Sequence, residues 1–308
     1  MSDTLFTHYK ESEGYFSIGR LPDSLQSETK SLNDLFLESI PMEQRNQKTY
    51  HQWFSEFPSE IKERVKVIQD NPFWKQICAS GTKCRVENIS EMDELYYSKA
   101  PGKKRRDLLL YGATSNFDPH IDGTFSFPGV HFYRILIGLT PNKTVETRFL
   151  KLNVAHKLQE NDFIVFDFDK AQHQVVNEND APTNDYRIML KLHFLVCDSC
   201  TEGSSYFQLT KQAYILYENI TRYCMQTGTD PTTPYEFFIG LLCILGNNYK
   251  GLSILLLISL FVLLPASFAF KRNKRWQARL LLLNGAWLGL FVVITFTLWG
   301  RYVLTGLR

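Results

Sequence analysis

Tyr111-Gly-Ala-Thr-Ser-Asn-Phe-Asp-Pro-His120-Ile-Asp122 is the stretch on which the fold turns. On an extended strand, residues i and i+2 project from one face, so His120 and Asp122 present an imidazole and a carboxylate side by side. One further donor closes a site. His173, in Gln172-His173-Gln174-Val175, stands at the start of a later β-rich run, where sheet folding can bring it back. Two neutral nitrogens and one carboxylate on a single face of an octahedral metal suit Fe(II) and leave the opposite positions open. His-x-Asp alone is a common accident in a chain with seven histidines, so the surrounding residues decide its weight.

Outward from that stretch the texture is β-rich. Leu108–Tyr111, Phe132–Ile137, Arg148–Leu150, Phe163–Phe166 and Tyr186–Phe194 are short apolar runs, separated by turn-forming segments such as Thr140-Pro-Asn-Lys and the stretch from Asn177 to Asp185. Strands at this spacing predict an antiparallel sandwich or barrel. Upstream, Trp53, Phe54, Phe57, Ile61, Val65, Ile68, Phe73 and Trp74 recur at broadly helical spacing, which predicts helices there. Downstream, residues 205 to 226 are patterned as an amphipathic helix, and Thr227 to Pro234 as a linker. The expected division is a largely helical N-terminal support region (1–106), a β core (107–200), a helix and linker (201–234) and a C-terminal anchor (235–308).

The neighbours of His120 are similar to the entry to the metal site in prolyl 4-hydroxylase-type, Fe(II)/2-oxoglutarate-dependent dioxygenases: an aromatic nine residues before the His (Tyr111), another three before it (Phe117), and Pro119 just ahead. The likeness continues in order. Arg134-Ile-Leu-Ile-Gly-Leu resembles the strand after the first motif, and Val145-Glu-Thr-Arg-Phe149 the Gly-Gly-Glu-Thr-x-Phe segment without its glycines. Glu160-Asn-Asp-Phe-Ile-Val-Phe166 resembles the Gly-Asp-Ala-x-x-Phe strand, with Asn161 in place of Gly. His173-Gln-Val-Val-Asn177 and Tyr186-Arg187-Ile-Met-Leu-Lys-Leu-His-Phe194 resemble the distal His-x-Val-x-Asn and the strand bearing the co-substrate anchor.

The resemblance implies a double-stranded β-helix, or jelly-roll, and a hydroxylase that uses Fe(II), 2-oxoglutarate and O2, with ascorbate as an optional accessory. It implies His120, Asp122 and His173 as iron ligands, and favours a peptidyl residue as substrate. A guanidinium can hold the distal carboxylate of 2-oxoglutarate through two parallel hydrogen bonds, which makes Arg187 the candidate anchor and Lys191, four residues on, the fallback. Tyr111 is a candidate to hydrogen-bond the co-substrate, and Arg134 to contact co-substrate or substrate. His131, His156 and His193 are expected to be packing or surface residues, the alternative for His193, on the Arg187 strand, being to line the cavity. The alternatives are a catalytically silent β-helix used as a binding module, and a membrane scaffold.

Charge and hydropathy separate the C-terminal end. Residues 251–308 carry seven Lys/Arg and no acid, leaving 27 basic and 32 acidic side chains elsewhere. That acidic balance argues against a nucleic-acid binder. Leu252–Phe270 and Leu280–Gly300 are uncharged and of bilayer length, joined by a basic loop, which predicts two transmembrane helices, an integral membrane protein and contact with membrane lipids, a lipid being the other candidate substrate. A shorter run, Phe237–Leu245, could make the number of crossings odd, which tilts the catalytic domain to the cytoplasmic over the lumenal side. The six cysteines, Cys197-x-x-Cys200 included, are expected to be ordinary thiols. Nothing at the N-terminus resembles a signal peptide.

Overall fold

The computed structural model describes residues 15–41, 49–78, 84–99, 117–123, 126–177, 186–197, 200, 203–229 and 233–248, and six positions between 275 and 289. The chain divides into two compact units, one formed by Met1–Arg105 with Ala113–Glu218 and the other by Arg106–Gly112 with Asn219–Arg308.

The first unit is built on eleven strands: β1 (Phe16–Arg20), β2 (Thr49–Trp53), β3 (Arg85–Asn88), β4 (Glu94–Lys99), β5 (Phe117–His120), β6 (Val130–Gly138), β7 (Val145–Phe149), β8 (Val154–His156), β9 (Asp162–Asp167), β10 (His173–Asn177) and β11 (Tyr186–Cys197). One sheet runs β1-β9-β6-β11-β4-β2, with β3 also on β11; the other runs β5-β10-β7-β8, and every pairing is antiparallel. Two helices, α1 (Asp23–Ser39) and α2 (Ser59–Gln69), complete its N-terminal part.

Alternation along β6 and β11 shows why they are central. Tyr133, Ile135 and Ile137, with Ile188, Leu190, Leu192 and Phe194, face one way into a core shared with Leu25, Leu32 and Phe36 of α1 and Ile61, Val65 and Ile68 of α2. The intervening Leu136 and Met189 face the other way, into a core with Phe16, Phe149, Ile164 and Phe166 drawn from both sheets. Strands buried on both faces are largely apolar, and in β6 and β11 the inner face breaks that pattern with Arg134, Arg187, Lys191 and His193. The helices each present an apolar stripe; in α1 it is Leu25, Thr29, Leu32 and Phe36.

Beside its helices, the N-terminal region supplies four strands, β1 to β4, all of which join the larger sheet. One expectation needs correction. The C-terminal transmembrane helices, and with them the integral-membrane placement, are not supported: among the described residues no helix is long and apolar enough to cross a membrane. Helix α3 (Ser205–Thr229) has 25 residues but interleaves polar ones throughout, and α4 (Pro234–Asn248) is apolar but has only 15. The expected spans at 252–270 and 280–300 lie outside the described residues, apart from isolated positions such as Leu282. The cysteines also differ from expectation. All six are paired, as Cys78–Cys84, Cys197–Cys200 and Cys224–Cys243. Disulfides persist in oxidising compartments, so the pairing counts against the cytoplasmic side as well.

Candidate metal centre

Strand pairing assembles the centre. In the β5–β10 ladder His120 stands opposite His173, and their ring centroids are 4.4 Å apart. Asp122 follows β5 in a turn clamped from two sides, for the Tyr217 hydroxyl of α3 donates to its carbonyl at 2.8 Å and the Gly123 N–H to the Phe168 carbonyl at 2.9 Å. Gly123 is a necessity of that clamp: a Cβ there would lie 2.1 Å from Asp169 Oδ1 and 2.8 Å from a Phe168 ring carbon. His120 Nε2 is 3.4 Å from Asp122 Oδ1, and His173 Nε2 is 3.7 Å from Asp122 Oδ2. One donor atom from each of the three residues lies within 4.8 Å of the others.

The ring of His173 is buried against Phe166 and Phe149, at 4.8 and 5.7 Å. Its Nδ1 donates to the Ala171 carbonyl at 3.1 Å, which leaves the Nε2 lone pair directed at the cluster. Burial lowers its basicity, and the neighbouring His120 adds to this, against an opposing pull from Asp122. The imidazole is therefore held neutral, the form that ligates. Burial would raise the Asp122 carboxyl, but Arg134, His173 and His120 outweigh it and hold the group far below the usual carboxylate range. The set thus offers two imidazole nitrogens and an anionic oxygen, which suits Fe(II).

Arg134 reaches the cluster itself. Its Nη1 lies 2.8 Å from Asp122 Oδ2, so it ion-pairs with a member of the cluster. His193, expected to be a packing or surface residue, is fully buried beside it: Arg134 Nε donates to His193 Nε2 at 3.0 Å. Sequence reading missed this link, since only the strand register sets the two opposite each other.

Arg187 and Lys191 share the inner face of β11 but have different surroundings. Lys191 Nζ donates to Glu94 Oε1 at 2.5 Å, and His51 Nδ1 is 2.8 Å from Glu94 Oε2, so the fallback anchor already has a carboxylate. Arg187 is 6% exposed and makes no salt bridge with a described residue. Among the described residues its Nε has no hydrogen-bond partner, and the Tyr96 ring lies 5.9 Å from Cζ. Burial pushes its pKa down, with Tyr96 partly offsetting. A buried guanidinium without a counter-charge is costly, and a planar dicarboxylate such as 2-oxoglutarate would supply one. Tyr111 lies outside the described residues. His131 packs against Tyr15 and Tyr133, and His156 lies 3.6 Å from Asp162, both away from the cluster.

No protein-family model and no curated protein matches the sequence. Solved structures similar to the chain are prolyl hydroxylases and other 2-oxoglutarate-dependent oxygenases. A viral collagen prolyl hydroxylase from Paramecium Bursaria Chlorella virus-1, in complex with 2OG, is 14% identical with a TM-score of 0.37, covering 59% of this chain and 96% of that one. A prolyl hydroxylase from Trichoplax adhaerens, in complex with a hypoxia inducible factor peptide fragment, is 11% identical with a TM-score of 0.39, covering 66% and 87%. The non-heme alpha ketoglutarate dependent epimerase SnoN from nogalamycin biosynthesis is 11% identical with a TM-score of 0.37, covering 63% and 84%. At TM-scores of 0.37 to 0.39 these likenesses carry no argument, and function rests on the site itself.

Proposed function

We propose that the chain is an Fe(II)- and 2-oxoglutarate-dependent hydroxylase, with His120, Asp122 and His173 holding the metal and Arg187 holding the distal carboxylate of the co-substrate. The observation that carries this is the convergence of the three donors within 4.8 Å, from two strands and a turn. Fe(II) with 2-oxoglutarate and O2 supplies the oxidising chemistry that converts a substrate C–H to C–OH and releases succinate and CO2. The protein's part is positional. His173 keeps a free lone pair because its other nitrogen is tied to Ala171, and Asp122 stays ionised because Arg134 faces it. The proposed substrate is a peptidyl residue, prolyl by the resemblance at Tyr111–Asp122 and His173–Asn177.

One observation favours a second reading, a catalytically silent binding module: the Arg134 guanidinium already supplies Asp122 with a positive charge. Iron content and succinate formation, measured together, separate the two. The purified full chain is expected to take up one Fe(II) and to form succinate from 2-oxoglutarate, and His173→Ala to lose both, because a two-donor remnant holds the metal loosely. Equal iron in His173→Ala and the parent chain would refute the metal assignment. Iron uptake by the parent chain without any succinate would leave the module reading in place.

A further inference from the structure

We propose that His193, with Asp93 behind it, is a positioning residue that holds Arg134 against Asp122 and so fixes that carboxylate for the metal, an inference that rests on the metal reading above. The relay begins in strand register. His193 of β11 stands directly opposite Arg134 of β6, on the inner face of the sheet. Arg134 Nε is a donor only, so His193 Nε2 must accept at 3.0 Å and the imidazole proton must sit on Nδ1. That proton is directed at Asp93 Oδ1, 3.1 Å away.

Asp93 cannot drift. It is fully buried, and three further donors reach it: the His193 backbone N–H at 2.7 Å, Gln69 Nε2 of α2 at 2.7 Å and Asn88 Nδ2 of β3 at 2.8 Å. The guanidinium is confined from its other side by the Phe168 ring, 4.6 Å from Cζ. Its position is therefore set by elements outside the metal cluster. With Arg134 on Asp122 Oδ2, Oδ1 is the oxygen left on the His120 side. One oxygen donor beside two imidazoles leaves coordination positions for a chelating co-substrate, whereas a carboxylate free to turn would take two. His193 has no exposure, so it acts through Arg134 and not by touching a ligand.

Charge and position can be separated by substitution. His193→Leu keeps the Arg134 charge and removes the acceptor that orients it; His193→Gln offers a side-chain carbonyl in place of Nε2. Arg134→Lys keeps the charge but cannot span both partners. The measurement is the affinity of the full chain for Co(II) alone, read from the visible absorption of the bound ion, with the unfolding midpoint of each metal-free variant recorded alongside. His193→Leu and Arg134→Lys are expected to weaken Co(II) binding roughly 10- to 100-fold, the usual cost of losing an outer-shell partner. His193→Gln should stay close to the parent chain. Parent-like affinity in Arg134→Lys, or in a folded His193→Leu, overturns the proposal, as does a His193→Gln as weak as His193→Leu. If His193→Leu fails to fold, Arg134→Lys decides alone. A parent chain that binds no Co(II) is the distinct failure of the metal reading, and it removes this role with it.

Discussion

Arg187 and Asp169 show how burial assigns a side chain its task. Arg187 sits inside the sandwich with no carboxylate partner among the described residues, and the co-substrate is the anion proposed to complete it. Arg187→Ala should raise the KM for 2-oxoglutarate by an amount corresponding to about 2 to 5 kcal/mol, since a buried charge partner is removed. Lys191→Ala, whose Nζ is already bound to Glu94, should leave that KM near the parent value, and the reverse result would move the anchor to Lys191. Asp169 is a different case. Burial is the main cause that pushes its carboxyl up to about 7, despite the hydrogen bond it accepts from the Tyr214 hydroxyl. A carboxyl raised in the folded state contributes stability fully present below its unfolded pKa of about 3.9 and lost as pH rises through the folded value. Between about pH 4 and pH 7 the parent chain should therefore lose stability relative to Asp169→Asn, by at most roughly 1.4 kcal/mol per pH unit. Urea unfolding of the metal-free pair at several pH values measures it, and a pH-independent difference would show that the carboxyl titrates normally.

At the scale of the element, what was legible followed from how much of a strand's character is local. β6, β9 and β11 carry long, largely apolar runs bounded by turn residues, so they stand out in the sequence. β2 and β3 do not. Thr-Tyr-His-Gln-Trp and Arg-Val-Glu-Asn are short and polar, and become strands because β4 and β11 offer them an edge. The iron-ligand candidates could be found because His120 and Asp122 are two residues apart and His173 begins a β run. The Asp93–His193–Arg134 relay could not, because it is created by pairing residues separated by 59 and 100 positions. The same reasoning gives a stability prediction. Leu192 on β11 is fully buried between the sheet and the helical layer, so Leu192→Ala should cost about 2 to 5 kcal/mol. Leu209 on α3 is 67% exposed, and Leu209→Ala should stay within about 0.5 kcal/mol. Chemical denaturation of the two variants checks the contrast, which equal losses would contradict.

For the whole molecule, the cysteines carry information that their spacing hid. Six thiols scattered from Cys78 to Cys243 have no scaffold pattern, and only folding brings the partners together. Cys78–Cys84 and Cys197–Cys200 close short loops, at separations of 6 and 3 residues, whereas Cys224–Cys243 joins α3 to α4 across 19. In the chain-entropy account a cross-link stabilises by restricting the unfolded chain, more for longer loops, which gives a loop of that length about 3 kcal/mol. The native chain, produced in an oxidising compartment, should therefore show no thiol reactive to a titrating disulfide reagent even after denaturation. Replacing Cys224 and Cys243 together by Ser should destabilise their unit by about that amount, measured by denaturant unfolding of the full chain. The two shorter links should matter less. Six titratable thiols in the denatured, unreduced protein would show instead that the pairs do not form, and would remove the argument against a reducing compartment.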